Sequence, residues 1–102
     1  MTTAANAEEA EHLGRALVEE RLAACVTLLP AAHSIYRWKK QIESAGECLL
    51  LLKTSTERLP ALETRLHELH SYDTPEFLVL AVEAGSHAYL AWLSGCLREP
   101  EV

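Results

Sequence analysis

Ala10, Leu13, Leu17, Val18 and Leu22 recur at helical spacing, with Glu11, Arg15, Glu19 and Arg21 between them. Asn6 followed three positions later by Glu9 is the pairing that opens a helix, so the pattern predicts a helix from about Ala7 to Ala24. Cys25-Val26-Thr27-Leu28-Leu29 then reads as a strand, halted by Pro30. Because Pro has no amide donor for a ladder, this strand is expected to be bent, bulged or at an edge. His33 to Trp38 resumes as a strand rich in aromatic and β-branched residues. Lys39-Lys40-Gln41 is the expected turn, and a return strand runs from Ile42 to Thr54.

Within that return strand Cys48-Leu49-Leu50-Leu51-Leu52 is unbrokenly apolar, a run that predicts cover on both faces. Leu59, Leu62, Leu66 and Leu69 mark a second helix, with Pro60 tolerable only in its first turn. Phe77 to Val82 is another doubly apolar segment, read as a strand stopped by Ala84-Gly85. Ser86 can cap a last helix whose Tyr89, Leu90, Leu93 and Leu97 share a face. In a small one-layer sheet, the cover for a second apolar face is most simply another subunit.

The predicted order is helix, hairpin, helix, strand, helix. A strand ahead of the first helix would complete the split βαββαβ arrangement, yet only Met1 to Ala5 stands there. The first strand is therefore expected to be missing or truncated, with the chain starting downstream of its true beginning as one explanation. At 102 residues the expectation is a single domain, 1–102.

Charge narrows the function. Fifteen acids against nine bases give a formal net charge of −6, which disfavours nucleic acid as a partner because phosphate binding needs clustered Lys and Arg. The longest apolar runs are strand-sized, so no membrane span is expected. Three widely spaced cysteines, Cys25, Cys48 and Cys96, match neither a zinc ribbon nor a disulfide framework, and the cytoplasm is the expected compartment. The first two lie in apolar strands, where a free thiol usually behaves as a small buried hydrophobe. No G-x-S-x-G and no phosphate-cradling Gly loop occurs, so an enzyme is not expected.

Candidate chemistry gathers in the connector Leu69-His70-Ser71-Tyr72-Asp73-Thr74-Pro75-Glu76, which carries far more polar equipment than a turn requires. Glu63, His67 and His70 fall on one stripe of the second helix, at a spacing that could chelate Cu(II) or another divalent cation. The alternative is a solvated helix flank. Tyr36, Trp38, Tyr72, Tyr89 and Trp92 could wall a ligand cleft whose polar groups are Lys53 and Glu76, or could pack a subunit interface. No organic cofactor is expected.

With these blocks in place the chain resembles the CutA divalent-cation tolerance family. The resemblance rests on Leu17 to Val26, Ser34 to Trp38, Leu51 to Thr54, His70-Ser71-Tyr72 with Pro75-Glu76, and Tyr89 to Leu93, and extends from about Thr3 to Leu97. It implies an α+β, ferredoxin-like βαββαβ domain with an extra C-terminal helix, joined into a homotrimer by strand pairing between subunits. A non-enzymatic role in divalent metal (copper) tolerance is implied; combined with the stripe on the second helix, the expectation is weak cation binding with His70 as main ligand, helped by His67 or Glu63. The family trimer resembles that of the PII signalling proteins. A small-ligand sensor with an intersubunit cleft at Tyr36, Trp38, Lys53, Tyr72, Glu76 and Trp92 is therefore an alternative, and a structural scaffolding trimer is a third. Four positions depart from the family pattern: Thr2 at the first strand's frequent Cys, Ser71 for Pro, Lys40 for a hairpin Gly, and Thr27 for Asn.

Overall fold

The computed structural model describes residues 1–98; the expected single domain runs to residue 102, so its last four positions lie outside the described residues. The elements are β1 (Thr2–Ala4), α1 (Ala7–Glu19), β2 (Cys25–Trp38), β3 (Gln41–Lys53), a 3₁₀ turn (Thr56–Arg58), α2 (Leu59–Leu69) and α3 (His87–Leu97). They form the expected α+β domain, with an antiparallel sheet ordered β1-β3-β2. The truncated first strand is present: three residues suffice to pair Thr2, Thr3 and Ala4 with Leu50, Leu49 and Cys48.

The Asn6 side chain caps α1 by accepting from Glu9 N at 2.8 Å. That helix ends at Glu19, five residues short of the expected Ala24. Arg21 turns left-handed (φ 59°), and the Arg21 and Leu22 amides fold back onto the Val18 and Leu17 carbonyls at 3.1 and 3.0 Å. This is the Schellman closure, which usually recruits Gly. Here Arg21 also donates through Nη1 to the Cys96 carbonyl at 3.0 Å, tying the end of α3 to the end of α1.

Strands β2 and β3 make one long hairpin, where the sequence predicts a strand broken at Pro30. Pro30 and Ala31 together face Cys48, between the pairs Leu29–Leu49 and Ala32–Glu47. Two residues against one is a β-bulge, and Ala31 takes φ 64° there. The unpaired Pro30 nitrogen costs nothing at this position, since β2 lies at the sheet edge. At the tip Trp38 pairs with Gln41. Lys39 and Lys40 both have positive φ, 48° and 68°, as a two-residue type I′ loop requires.

One face of the sheet packs on α1 and α2. Ala4, Leu13, Leu17, Cys48, Leu50, Leu62 and Leu66 form its core, each nearly or fully buried; a large side chain sealed this way contributes about 1.5–3 kcal/mol. Gly14 admits the close approach of α1, its missing Cβ position lying 3.5 Å from Val26. Leu49, Leu51 and Lys53 alternate onto the opposite face, where Leu49 and Leu51 are only half-buried. Within one chain the apolar run of β3 is thus covered on one side, not two.

The predicted strand Phe77–Val82 is not a strand in the described structure. Its backbone meets β1 only where Leu78 and Met1 exchange hydrogen bonds, at 3.1 and 2.8 Å. A three-residue β1 offers no ladder for the rest. Leu78, Val79, Leu80 and Val82 are 54–78% exposed. The expected face of α3 is covered only toward its end: Leu97 is buried, while Tyr89 and Leu90 stay largely exposed.

Candidate functional site

His70 closes α2 in extended conformation (φ −77°, ψ 143°) and is buried. Its Nδ1 accepts from Tyr72 N at 3.1 Å, so Nε2 carries the proton and donates to the Thr3 carbonyl at 2.7 Å. Both ring nitrogens of a neutral imidazole are thereby used. The ring leans on that of Tyr72, with centroids 4.7 Å apart, and the Tyr72 phenol donates to Glu47 Oε2 at 2.8 Å. Burial, then the hydrogen bond to Glu47 and the charges of Glu47, Glu9 and Tyr36, push the Tyr72 hydroxyl up to about 12. It stays a proton donor across ordinary pH.

Glu9 completes the network from α1. Its Oε2 accepts from Ser71 N at 3.0 Å and its Oε1 from Ala5 N at 3.1 Å. Partial burial pushes the Glu9 carboxyl up, but the bonds from Ser71 and Ala5 and the nearby His70 ring outweigh it and hold it below its ordinary value. The departure at position 71 gains meaning here. Pro has no amide hydrogen, so only a residue such as Ser71 can make this bond to Glu9.

The candidate metal donors do not converge. His67 is exposed, with Nδ1 turned back 2.8 Å from its own helix carbonyl at Glu63. The Glu63 side chain is exposed, and His70 is engaged by Thr3 and Tyr72. Among the described residues no three His, Cys, Asp or Glu side chains are grouped to hold a cation. A closed divalent site needs about four ligands, so His70, His67 and Glu63 in one chain do not fit one.

The candidate cleft residues are likewise dispersed. Tyr72 reaches Glu47 near the middle of the hairpin, Tyr36 lies two residues short of its tip, and Trp38 stands at the tip, 59% exposed, with Lys39 Nζ 5.9 Å from its ring centroid. Lys53 sits at the base of the hairpin, opposite Cys25, and bonds Thr27 Oγ1. Twelve residues of β3 separate Gln41, the partner of Trp38, from Lys53, or about 40 Å at a strand rise of ~3.4 Å per residue. Trp92 packs on Tyr89 in α3 (5.4 Å between centroids), whose hydroxyl lies 3.5 Å from Cys25 Sγ. Beside these, Lys53, Leu51, Leu59, Phe77 to Val82 and Leu93 line an apolar groove of about 590 Å³.

Two buried side-chain oxygens are unsatisfied among the described residues, Thr2 Oγ1 in β1 and one in the loop. Glu76 Oε2 is buried and has no hydrogen-bond partner. Thr3, Glu9 and Glu47, which fix the His70–Tyr72 loop, escape a reading of local pattern because their partners lie 25 to 67 residues away. Only Glu9 carried a signal, and that signal was for a helix cap.

The family model described as CutA1 divalent ion tolerance protein matches residues 1–96. A divalent-cation tolerance protein CutA of Pectobacterium atrosepticum is 49% identical over 89 residues, covering 87% of this chain and 81% of its own length. The crystal structure of CutA from Xylella fastidiosa superposes with a TM-score of 0.92 at 43% identity, covering 95% of this chain and 93% of that one. A periplasmic divalent cation tolerance protein CutA from Archaeoglobus fulgidus gives 0.92 at 33% identity, covering 95% and 94%.

Proposed function

The chain belongs to the CutA1 divalent ion tolerance family, and from that premise we propose that it works as a homotrimer, a non-enzymatic binding protein whose cleft lies between subunits. The observation that carries this reading is the uncovered apolar surface of the single chain. Ile35, Trp38 and Ile42 on the hairpin, Leu78 to Val82, and Tyr89 and Trp92 on α3 are all exposed by 45% or more, Ala81 aside. Monomeric soluble proteins rarely leave apolar surface of this extent open. Beyond Leu78, whose amide and carbonyl both bond Met1, residues 79–82 belong to no strand and make no backbone hydrogen bond among the described residues, which leaves a template for pairing with another chain.

The dispersion of the cleft residues supports the same reading. Trp38 and Lys53 of one chain stand too far apart to share a ligand. A tip from one subunit and a hairpin base from the next could flank the same cleft, with Tyr36, Tyr72, Glu76 and Trp92 contributing from either side. Such a cleft suits a small ligand, in the manner of a PII-like sensor.

Any divalent cation the protein takes, copper included, is bound weakly, through isolated donors such as the exposed His67 rather than a closed cage. No helix of the described residues is long and apolar enough to cross a membrane. A cytoplasmic setting is part of the proposal and accords with the three free cysteines. Native mass spectrometry of untagged protein tests it. Three subunits retaining a small organic mass support the cleft, three retaining stoichiometric metal move the function to the ion, and a stable monomer removes the reading.

A further inference from the structure

Between β3 and residues 79–82 there is a gap one strand wide. On one side of β1, Thr2 pairs with Leu50, and the strand begins there. Among the described residues none stands opposite Leu52 on that side of β3. On the other side of β1, Met1 and Leu78 exchange both backbone hydrogen bonds, at 3.1 and 2.8 Å. Such an exchange marks an antiparallel pair. Leu51 to Lys53 and residues 79–82 therefore flank one line, that of β1 prolonged past Met1. The groove of about 590 Å³ lies along it, lined by both flanks and by Leu59 and Leu62 of α2.

The backbone groups that face this gap follow from the neighbouring bonds. The Lys53 carbonyl accepts from Ala24 N at 2.7 Å, on the β2 side. Successive residues of an antiparallel ladder turn their amides and carbonyls to opposite sides, so those of Leu52 face the gap. Carried on from Leu78, which faces Met1, the same alternation assigns Leu80 to the gap and Ala81 to the far side. Residues 79–82 make no backbone hydrogen bond among the described residues. Thr2 and Leu50, the last pair before the gap, are both fully buried, and Leu52 packs against the core. With a side-chain period of two, an apolar side chain fits opposite Leu52 and again two residues further on.

We propose that this slot binds an extended peptide segment of a partner protein, which adds as a strand between β3 and residues 79–82, in line with β1. Backbone bonds to Leu52 and Leu80 hold the segment, and its alternate apolar side chains fill the groove. The occupant is a strand because two edges one strand apart call for amides and carbonyls directed to both sides at strand spacing. It continues pairings already made by Thr2 with Leu50 and by Met1 with Leu78, so the core need not rearrange. Its chemistry is apolar: Lys53 carries the one charged side chain among the lining residues and already bonds Thr27. Val79, Leu80 and Val82, 60–78% exposed in the single chain, lose surface on binding. The inference goes beyond the small-ligand cleft and does not require the trimer.

The probe is a capped peptide, Thr-Val-Thr-Val-Thr-Val, titrated into the full chain and followed by NMR amide exchange. The Leu52 and Leu80 amides should gain protection while that of Ala81 stays open. N-methylation of the probe's last Val removes its bond to the Leu52 carbonyl and should weaken binding about tenfold. Leu80→Pro deletes a donor of the slot and should weaken binding by a similar factor, whereas Ala81→Pro, on the far side, should not. Leu80 is 65% exposed, so unchanged far-ultraviolet circular dichroism is expected and separates lost binding from misfolding. Thr-Val-Thr-Val tethered directly ahead of Met1 should fill the slot and abolish capture of the free probe. A probe that leaves Leu52 and Leu80 unprotected overturns the proposal, as does equal binding by the N-methylated probe or by the tethered chain. Leu80 protection already present in the chain alone and lost on dilution assigns the slot to a second copy, and overturns it as well.

Discussion

His70 reaches 67 residues back along the chain to donate from Nε2 to the Thr3 carbonyl at 2.7 Å, while its Nδ1 receives the Tyr72 amide. The imidazole therefore joins β1 to the loop after α2, and its two nitrogens have no free lone pair for a metal. His70→Ala should lower stability by about 2–3 kcal/mol, because the Thr3 carbonyl and Tyr72 amide lose a buried partner. Denaturant unfolding measures the loss. Calorimetric titration with Cu²⁺ should be unchanged; loss of copper binding at undiminished stability would restore His70 as a ligand.

The Lys39-Lys40 turn predicts a gain. Replacing Lys40, at φ 68°, with Gly relieves about 1–2 kcal/mol of left-handed strain, partly offset by the greater freedom of Gly in the unfolded chain. A net stabilisation of about 0.5–1 kcal/mol is expected. It should appear as a higher urea midpoint at unchanged slope in about 1 M salt, where tip charges are screened. An unchanged or lower midpoint would show that the Lys side chain repays its own strain.

Thr2 is fully buried and its hydroxyl has no partner. Thr2→Val keeps the shape and removes the stranded group, so stability should rise by about 1–2 kcal/mol. A fall in melting temperature would mean that the hydroxyl finds a donor or acceptor in solution.

Loop order should follow the protonation of Glu9. Its carboxyl is held below the ordinary value by Ser71, Ala5 and His70 against an opposing burial effect. A depressed folded-state value means the stabilisation is present above the unfolded-state pKa and lost as pH falls through the folded one. Protection factors for amide exchange at Ser71 and Tyr72, each corrected for the intrinsic rate at that pH, should fall on acidification below the ordinary carboxylate range, before the core of α1 opens. In a Glu9→Gln variant this pH step should disappear. Persistence of the step in that variant would assign it to another group.

Much of the architecture was legible in local pattern. The cap at Asn6, the irregularity at Pro30, the turn at Lys39-Lys40, the stripe of α2 and the cap at Ser86 each follow from backbone chemistry within a few residues. Errors arose where a local signal met a distant one. The apolar spacing of α1 continues past Glu19, but the chain leaves the helix at Arg21, whose guanidinium is occupied by α3. Phe77 to Val82 has the composition of a strand, yet a strand exists only when a neighbour supplies its ladder.

The candidate site divides in the same way. Its location in the loop from His70 to Glu76 was readable, because no simple turn needs an imidazole, a phenol and two carboxylates. What those groups do was decided by partners remote in sequence: Thr3 and Glu9 from the start of the chain, and Glu47 from β3. Periodicity alone set His70, His67 and Glu63 on one stripe of α2. Tertiary packing then spent both nitrogens of His70 on structure and left the other two in solvent. Sequence pattern determined the elements and the loop, since hydrogen bonds within a few residues fix them; only the folded chain decided which polar groups were satisfied and which, like Glu76, still lack a partner.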